Sequence, residues 1–226
     1  MTNGPKAIGI IMDGNRRWAR ERGLPTFEGH KMGIEKITEV FSWAQEVGVA
    51  QVTIYAFSTE NWKRAPEEVA YLMELFEKFF TENLSKLQEK GGRVRFMGDR
   101  SLASKKTQEI LEEVEEKTAL GTAGTLAVAF SYGGRPEILS AVNSLLKEGK
   151  SVVNEEEFES ALWTAGLQDP DLILRTGGEQ RLSNFLAWQS VYSELFFTAT
   201  KWPAFSKEEF MNICSTYAER ERRHGK

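Results

Sequence analysis

The sequence predicts one α/β domain spanning residues 1–226, with a central, mostly parallel six-stranded sheet flanked by helices. Three observations carry that expectation. Short runs rich in β-branched and aromatic residues alternate with longer helix-period segments, the pattern of strands joined by crossover helices. One long segment, 66–90, carries an apolar stripe suited to covering a sheet. No linker signal interrupts the 226 residues, and their 41% hydrophobic content is enough for one sizeable core.

The first strand is 8–12, Ile-Gly-Ile-Ile-Met, and the second is 52–57, Val-Thr-Ile-Tyr-Ala-Phe. Segment 66–90 is helical because Leu72, Met73, Phe76, Phe79, Phe80 and Leu84 recur at three- and four-residue steps, with charge on the opposite face. Strand 94–97 leads to a Glu- and Lys-rich surface helix, 102–120, and strand 126–131 to a helix over 135–147. Leu172–Arg175 forms the fifth strand, 195–198 a weaker sixth, and 207–223 a closing helix.

Composition removes several classes of function. With 29 basic and 33 acidic residues the net charge is −4, so a general polyanion binder is excluded and no nucleic-acid partner is expected. The single cysteine, Cys214, rules out internal disulfides and thiolate metal clusters. No apolar run approaches the ~20 residues of a bilayer span, and the apolar stretch at 7–12 is too short for a secretory leader. The expectation is a cytoplasmic protein with at most peripheral membrane contact.

In a parallel sheet, ligands gather beyond the carboxyl ends of the strands, and four unusual turns fall there. They are Asp13-Gly14-Asn15-Arg16-Arg17, Ser58 through Arg64, Tyr132-Gly133-Gly134-Arg135, and Thr176 through Arg181. The first suits a diphosphate, since Gly14 lets the backbone approach, the following helix offers free N–H groups, and Arg17 adds a planar fork. Asp13 repels a phosphate unless a divalent cation lies between them, which points to Mg²⁺. The same residues also make an ordinary turn and helix cap. The fifth-strand turn sets Arg175 and Arg181 about Gly177-Gly178, with Ser183 following, as a second anion pocket. Two such pockets suggest a reaction between two diphosphates. By composition, Arg220, Arg222 and Arg223 are a solvated helix end.

Ile11 through Ala19, Gly29-His30, Tyr55 through Trp62, Tyr132 through Arg135, Asp171 through Phe185, Tyr192 through Phe197 and Arg220 through Arg223 resemble, in order, the motifs of the undecaprenyl diphosphate synthase (cis-prenyltransferase) family. The resemblance covers nearly the whole chain and implies Z-type elongation of an allylic diphosphate, such as farnesyl diphosphate, by isopentenyl diphosphate with Mg²⁺. It implies that Asp13 holds the metal, and that Gly14, Asn15, Arg16, Arg17 and His30 cradle the allylic diphosphate with help from Arg64. It places Ser58 and Asn61 between the substrates. Phe57, Trp18, Trp62 and Glu68 would complete substrate binding, the last two on a mobile closing segment. Arg175, Arg181 and Ser183 would hold isopentenyl diphosphate. Glu194, a second metal ligand, and the terminal arginines would reach that site across a homodimer.

Ala56 leaves room at a tunnel mouth, and the 66–90 helix has no extra segment, which resembles medium-chain, undecaprenyl-like members; a short-chain synthase is the alternative. Thr26 and Gln180 depart from common family patterns and put one phosphate contact and a histidine–metal role in doubt. A non-catalytic partner subunit is a further alternative, disfavoured because Asp13 and Asn15 are retained. A nucleotide hydrolase lacks its Gly-Lys-Ser/Thr or Gly-x-Gly-x-x-Gly signature here, and no Asp-Asp pair of the all-trans type occurs.

Overall fold

The computed structural model describes residues 4–220. Its strands are β1 (Ala7–Ile11), β2 (Gln51–Ser58), β3 (Gly92–Met97), β4 (Gly124–Tyr132), β5 (Leu172–Arg175) and β6 (Glu194–Phe197). Their order is β3-β4-β2-β1-β5-β6, and every neighbouring pair is parallel. The sheet is therefore wholly parallel, and the carboxyl ends of β1, β2, β4 and β5 share one edge, as the sequence predicts.

The helices are α1 (Asn15–Arg20), α2 (Thr26–Glu46), α3 (Pro66–Glu89), α4 (Lys105–Thr118), α5 (Gly134–Lys147), α6 (Glu155–Ala161) and α7 (Lys207–Glu219). The start of α4 comes later than the expected 102, because Ser104 caps it by accepting from the Thr107 amide at 3.0 Å. Of the expected 207–223 helix, positions 221–223 lie outside the described residues, as do Arg222 and Arg223.

Two apolar layers sandwich the sheet. One joins Ile8, Ile10, Ile54, Leu126, Val128 and Phe130 to the inner faces of α2, α3, α4 and α7. The other, smaller layer holds Ile11, Ala129, Tyr132, Ile173, Phe185 and Leu186. Alternation along β4, with Val128 and Phe130 on one side and Ala129 on the other, shows a strand buried on both faces.

The β2–β4 ladder is irregular where it meets the polar edge. Tyr55 pairs with Ala129 and Phe57 with Phe130, so Ala56 is extra on β2; Ser58 then pairs with Tyr132, so Ser131 is extra on β4. Ser131 has φ 49, a left-handed conformation uncommon for serine. The two bulges offset each other and bend the sheet beside the turns that carry chemistry.

Candidate active site

Asp13 and Arg175 meet because β1 and β5 are neighbours in register, Ile11 opposite Arg175. Arg175 is 4% exposed and donates Nη2 to Asp13 Oδ2 at 2.9 Å. Arg17 Nη2 donates to Asp13 Oδ1 at 3.1 Å, and the Gly14 amide donates to the same oxygen at 2.6 Å. Burial works to raise the Asp13 pKa, but the Arg175 hydrogen bond, the Arg17 and Arg175 charges and the Gly14 amide together hold it below the usual carboxylate value. Asp13 is thus a carboxylate at neutral pH. Thr176 fixes its backbone, accepting from the Asp13 amide at 3.1 Å and donating to the Asp13 carbonyl at 2.8 Å.

The other arm of Arg175, Nη1, donates to Ser183 Oγ at 2.8 Å and to the Arg181 carbonyl. Ser183 and Asn184 have φ 49 and 66, so this turn is held in a left-handed course. Asn184 stabilises it: its Oδ1 accepts from the Arg135 amide at 2.9 Å, and its Nδ2 donates to Glu60 Oε1 at 3.1 Å. One amide side chain therefore ties together the turns after β2, β4 and β5.

Gly14, at φ 101, starts α1, which lies against α2. The contact is close only because α2 carries glycines: a Cβ at Gly29 would come within 2.1 Å of the Asn15 carbonyl, and one at Gly33 within 2.2 Å of Asn15 Oδ1. His30 follows Gly29. Burial, then the Arg64 charge, push its pKa down to about 4, with Glu68 opposing. Glu68 Oε1 lies 3.0 Å from Arg64 Nη1, 3.7 Å from His30 Nε2 and 3.7 Å from Arg16 Nη1. Asn15 Oδ1 and His30 Nε2 are buried without a hydrogen-bond partner, while Asn15 Nδ2 donates to the Met12 carbonyl at 2.9 Å.

After β2, a 3₁₀ turn over Thr59–Lys63 is closed by a capping box between Ser58 and Asn61, with the Ser58 amide 3.1 Å from Asn61 Oδ1. Trp62 folds inward, edge-on to Phe57 at 4.9 Å between ring centroids, and its Nε1 donates to Ser131 Oγ at 2.9 Å.

A cavity of about 620 Å³ lies between this polar edge and helices α2 and α3. Asp13, Asn15, His30, Ser58, Asn61, Arg64, Arg175 and Ser183 contribute to its wall, with Phe57; Ile34, Ile37, Leu72, Met73, Phe76 and Phe80 make the rest apolar. Such a volume is typical of a small-molecule site.

Of the expected site residues, Gly14, Arg16, Arg17, Trp18, Trp62, Glu68, Arg181 and Glu194 are not on this wall. Trp18 is off the cavity wall, beneath the Arg22 guanidinium at 4.4 Å, because Ala19 turns the adjacent face of α1 onto α2, and one residue is about 100° of helix. Arg181 is 60% exposed at its side chain and pairs with Glu179 at 2.5 Å, so its carbonyl rather than its guanidinium meets Arg175. Glu194 opens β6 level with Leu172, whereas Arg175 is level with Phe197, so it stands at the far edge of the sheet, bonded to Arg220. Within one chain it is no partner of Asp13.

Two cavity-wall residues, Glu60 and Asn184, were quoted in the motifs without a role. Their sequence signal was slight: an Asn after Ser183, a residue type that tolerates the left-handed region. A third feature had no signal at all. Glu137, fully buried, accepts from Tyr132 Oη (2.5 Å), the Thr164 amide (3.0 Å), Thr164 Oγ1 (2.9 Å) and Gln189 Nε2 (3.1 Å), joining segments far apart in the chain.

Among the described residues no group of three or more His, Cys, Asp or Glu side chains converges as a metal cage. Asp13, which with Glu60 is one of two carboxylates on the cavity wall, and the orphaned Asn15 oxygen two residues on fit instead a Mg²⁺ ion that takes its other ligands from water and substrate phosphate.

The undecaprenyl diphosphate synthase family profile, a prenyltransferase profile, matches residues 11–225. An isoprenyl transferase of Thermotoga maritima is 46% identical over 225 residues, 98% of this chain and 97% of that protein. The crystal structure of lavandulyl diphosphate synthase from Lavandula x intermedia, in complex with dimethylallyl diphosphate, covers 100% of both chains at a TM-score of 0.95 and 30% identity. That of a probable undecaprenyl diphosphate synthase from Campylobacter jejuni covers 99% of this chain and 100% of its own at a TM-score of 0.85 and 34% identity. One cavity that joins a polar edge of a parallel sheet to an apolar interior, and full-length likeness in both sequence and fold, make this chain a prenyl-transferring enzyme of the undecaprenyl diphosphate synthase family.

Proposed function

We propose that the chain condenses isopentenyl diphosphate with an allylic diphosphate and sets each new double bond Z. The observation that carries this reading is the single cavity on which Asp13, Arg175 and Ser183 share a wall with the apolar faces of α2 and α3. The allylic diphosphate sits at the amino end of α1, against Gly14, Asn15, Arg16, Arg17, His30 and Arg64, with its hydrocarbon along Ile34, Leu72 and Phe76. Isopentenyl diphosphate lies with its diphosphate on Arg175 and Ser183. Ser58 and Asn61, fixed by their capping box, face the carbon that loses a proton.

Asp13, with Asn15 Oδ1 nearby, would hold Mg²⁺, which when bound neutralises charge that builds on a departing diphosphate. Arg175 holds Asp13 ionised and oriented from one arm and Ser183 from the other, coupling the two substrate positions through one guanidinium. Ile34, Ile37 and Phe76 exclude water from the allylic carbon as bonding to the leaving oxygen weakens.

Purified protein given labelled isopentenyl diphosphate, Mg²⁺ and allylic primers of several lengths is expected to incorporate label. No incorporation with any primer overturns the reading, and activity of the chain alone excludes a non-catalytic partner subunit.

The product proposed from Ala56 and the length of α3 is of medium chain. A second reading, a short-chain product, is favoured by the bulky Phe76 and Phe80 rings on the cavity wall, and mass spectrometry of the product made from farnesyl diphosphate distinguishes the two.

A cytoplasmic homodimer is proposed, in which the exposed Leu139, Val142 and Leu146 of α5, with Tyr192 and Leu195, meet a second copy; sedimentation tests it. Exposed Leu24, Phe27 and Met32 near Arg20 and Arg22 suit a peripheral bilayer contact for product release. No helix among the described residues is long and apolar enough to cross a membrane.

A further inference from the structure

The first turn of α3 puts a carboxylate where a substrate diphosphate would bring its own charge. Arg16 of α1, His30 of α2 and Arg64 before α3 all converge on one oxygen, Glu68 Oε1. An acid in the first turn of a helix is favoured by the dipole alone, but that demands no such convergence. Glu67, in the same turn, is exposed and takes part in none of these contacts.

The carboxylate fills the cradle incompletely. Its 3.7 Å distance to His30 Nε2 exceeds a hydrogen bond, and both that nitrogen and Asn15 Oδ1 stay unpartnered although buried. His30, its pKa near 4, remains neutral beside Glu68. A carboxylate is small and carries one charge. A diphosphate carries more charge and more oxygens, enough to reach His30 Nε2, the nitrogen that Glu68 leaves idle.

We propose that Glu68 is an internal anion occupying the diphosphate cradle of the empty enzyme, and that an allylic diphosphate binds by displacing it. Glu68 then sets the affinity of the site by competing for it, rather than by touching substrate. Displacement also releases the first turn of α3, the helix whose Leu72 and Met73 line the cavity one turn further on. The inference rests on the proposed allylic role of Arg16, His30 and Arg64.

Inorganic pyrophosphate and, separately, farnesyl diphosphate are titrated calorimetrically, with chelator present and no metal, into wild type, Glu68→Gln and Glu67→Gln. Glu68→Gln is expected to bind both probes roughly two- to five-fold tighter, as removal of one partly exposed competing ion pair would give, and to lower KM for the allylic substrate. Glu67→Gln should match wild type. Equal or weaker binding by a folded Glu68→Gln overturns the proposal while leaving the condensation reading intact. If that variant does not fold, Glu68→Asp, too short to reach Arg64, takes its place with the same two outcomes. Failure of wild type to bind either probe removes the cradle, and with it both readings.

Discussion

Arg175 Nη2 stands 2.9 Å from Asp13 Oδ2 across the β1–β5 pair, while Nη1 of the same guanidinium reaches Ser183 Oγ at 2.8 Å. A lysine offers one point charge and cannot serve both. Arg175→Lys is expected to lower kcat/KM by about 100-fold or more, the scale of losing a fixed donor at a reacting charge, with KM for isopentenyl diphosphate raised. Steady-state kinetics with each substrate varied in turn check it, and near-wild-type values would refute the two-armed role.

Asp13→Ala removes the one ionised side chain positioned for the metal. Turnover is expected to drop by roughly 10³-fold or more, while circular dichroism stays near wild type because Thr176 holds the backbone and Tm falls because the buried Arg175 loses its counter-charge. Substantial activity in a folded variant would end that assignment.

His30 carries a pH signature. Its folded pKa near 4 lies below the ordinary 6.5, so between these values the unfolded chain takes a proton that the folded chain refuses. The stabilisation is therefore complete above pH 6.5 and is lost as pH falls toward 4. At pH 4.5 the loss is expected to be about 2–3 kcal/mol, and His30→Gln should flatten that part of the profile. The depressed Asp13 pKa acts in the same direction at lower pH. Urea unfolding at pH 7 and 4.5 measures it, and parallel profiles for the two proteins would contradict it.

Gly33→Ala tests the α1–α2 contact. The added Cβ would lie 2.2 Å from Asn15 Oδ1, so α1 must shift or Asn15 must leave its place on the cavity wall. A loss of about 1–3 kcal/mol is expected, with a larger fall in activity than in stability. Wild-type activity and Tm would show that α1 has slack.

The turns bearing Asp13, Ser58, Arg175 and Ser183 were legible because charged, glycine-bearing segments directly follow apolar runs, and a parallel sheet must bring such turns to one edge. Helix α2 was not delimited from sequence: its apolar stripe, Ile37, Val40, Phe41 and Ala44, occupies only the carboxyl half, and its contact with α1 runs through Gly29 and Gly33. Likeness of motif placed Trp18 in the family pattern, while in the fold it is turned aside by one helical step; Glu194, expected to act across a homodimer, is level with Leu172 rather than with Arg175 in its own chain. The Glu137 cluster was invisible, since its hydrogen bonds span 27 residues to Thr164 and 52 to Gln189 and follow no local period.

Ala56 and Ser131 form a matched pair of insertions on adjacent strands. Deleting Ala56 alone would leave Phe57 opposite Phe130 and Ser58 opposite Tyr132, and deleting Ser131 alone would keep the same partners, so either change removes one bulge without slipping the register. Deleting both would restore an even ladder with every later partner unchanged, yet would straighten the mouth of the cavity. Anyone transplanting this pocket into another parallel sheet must move the two irregularities together, because the curvature they create belongs to neither strand by itself.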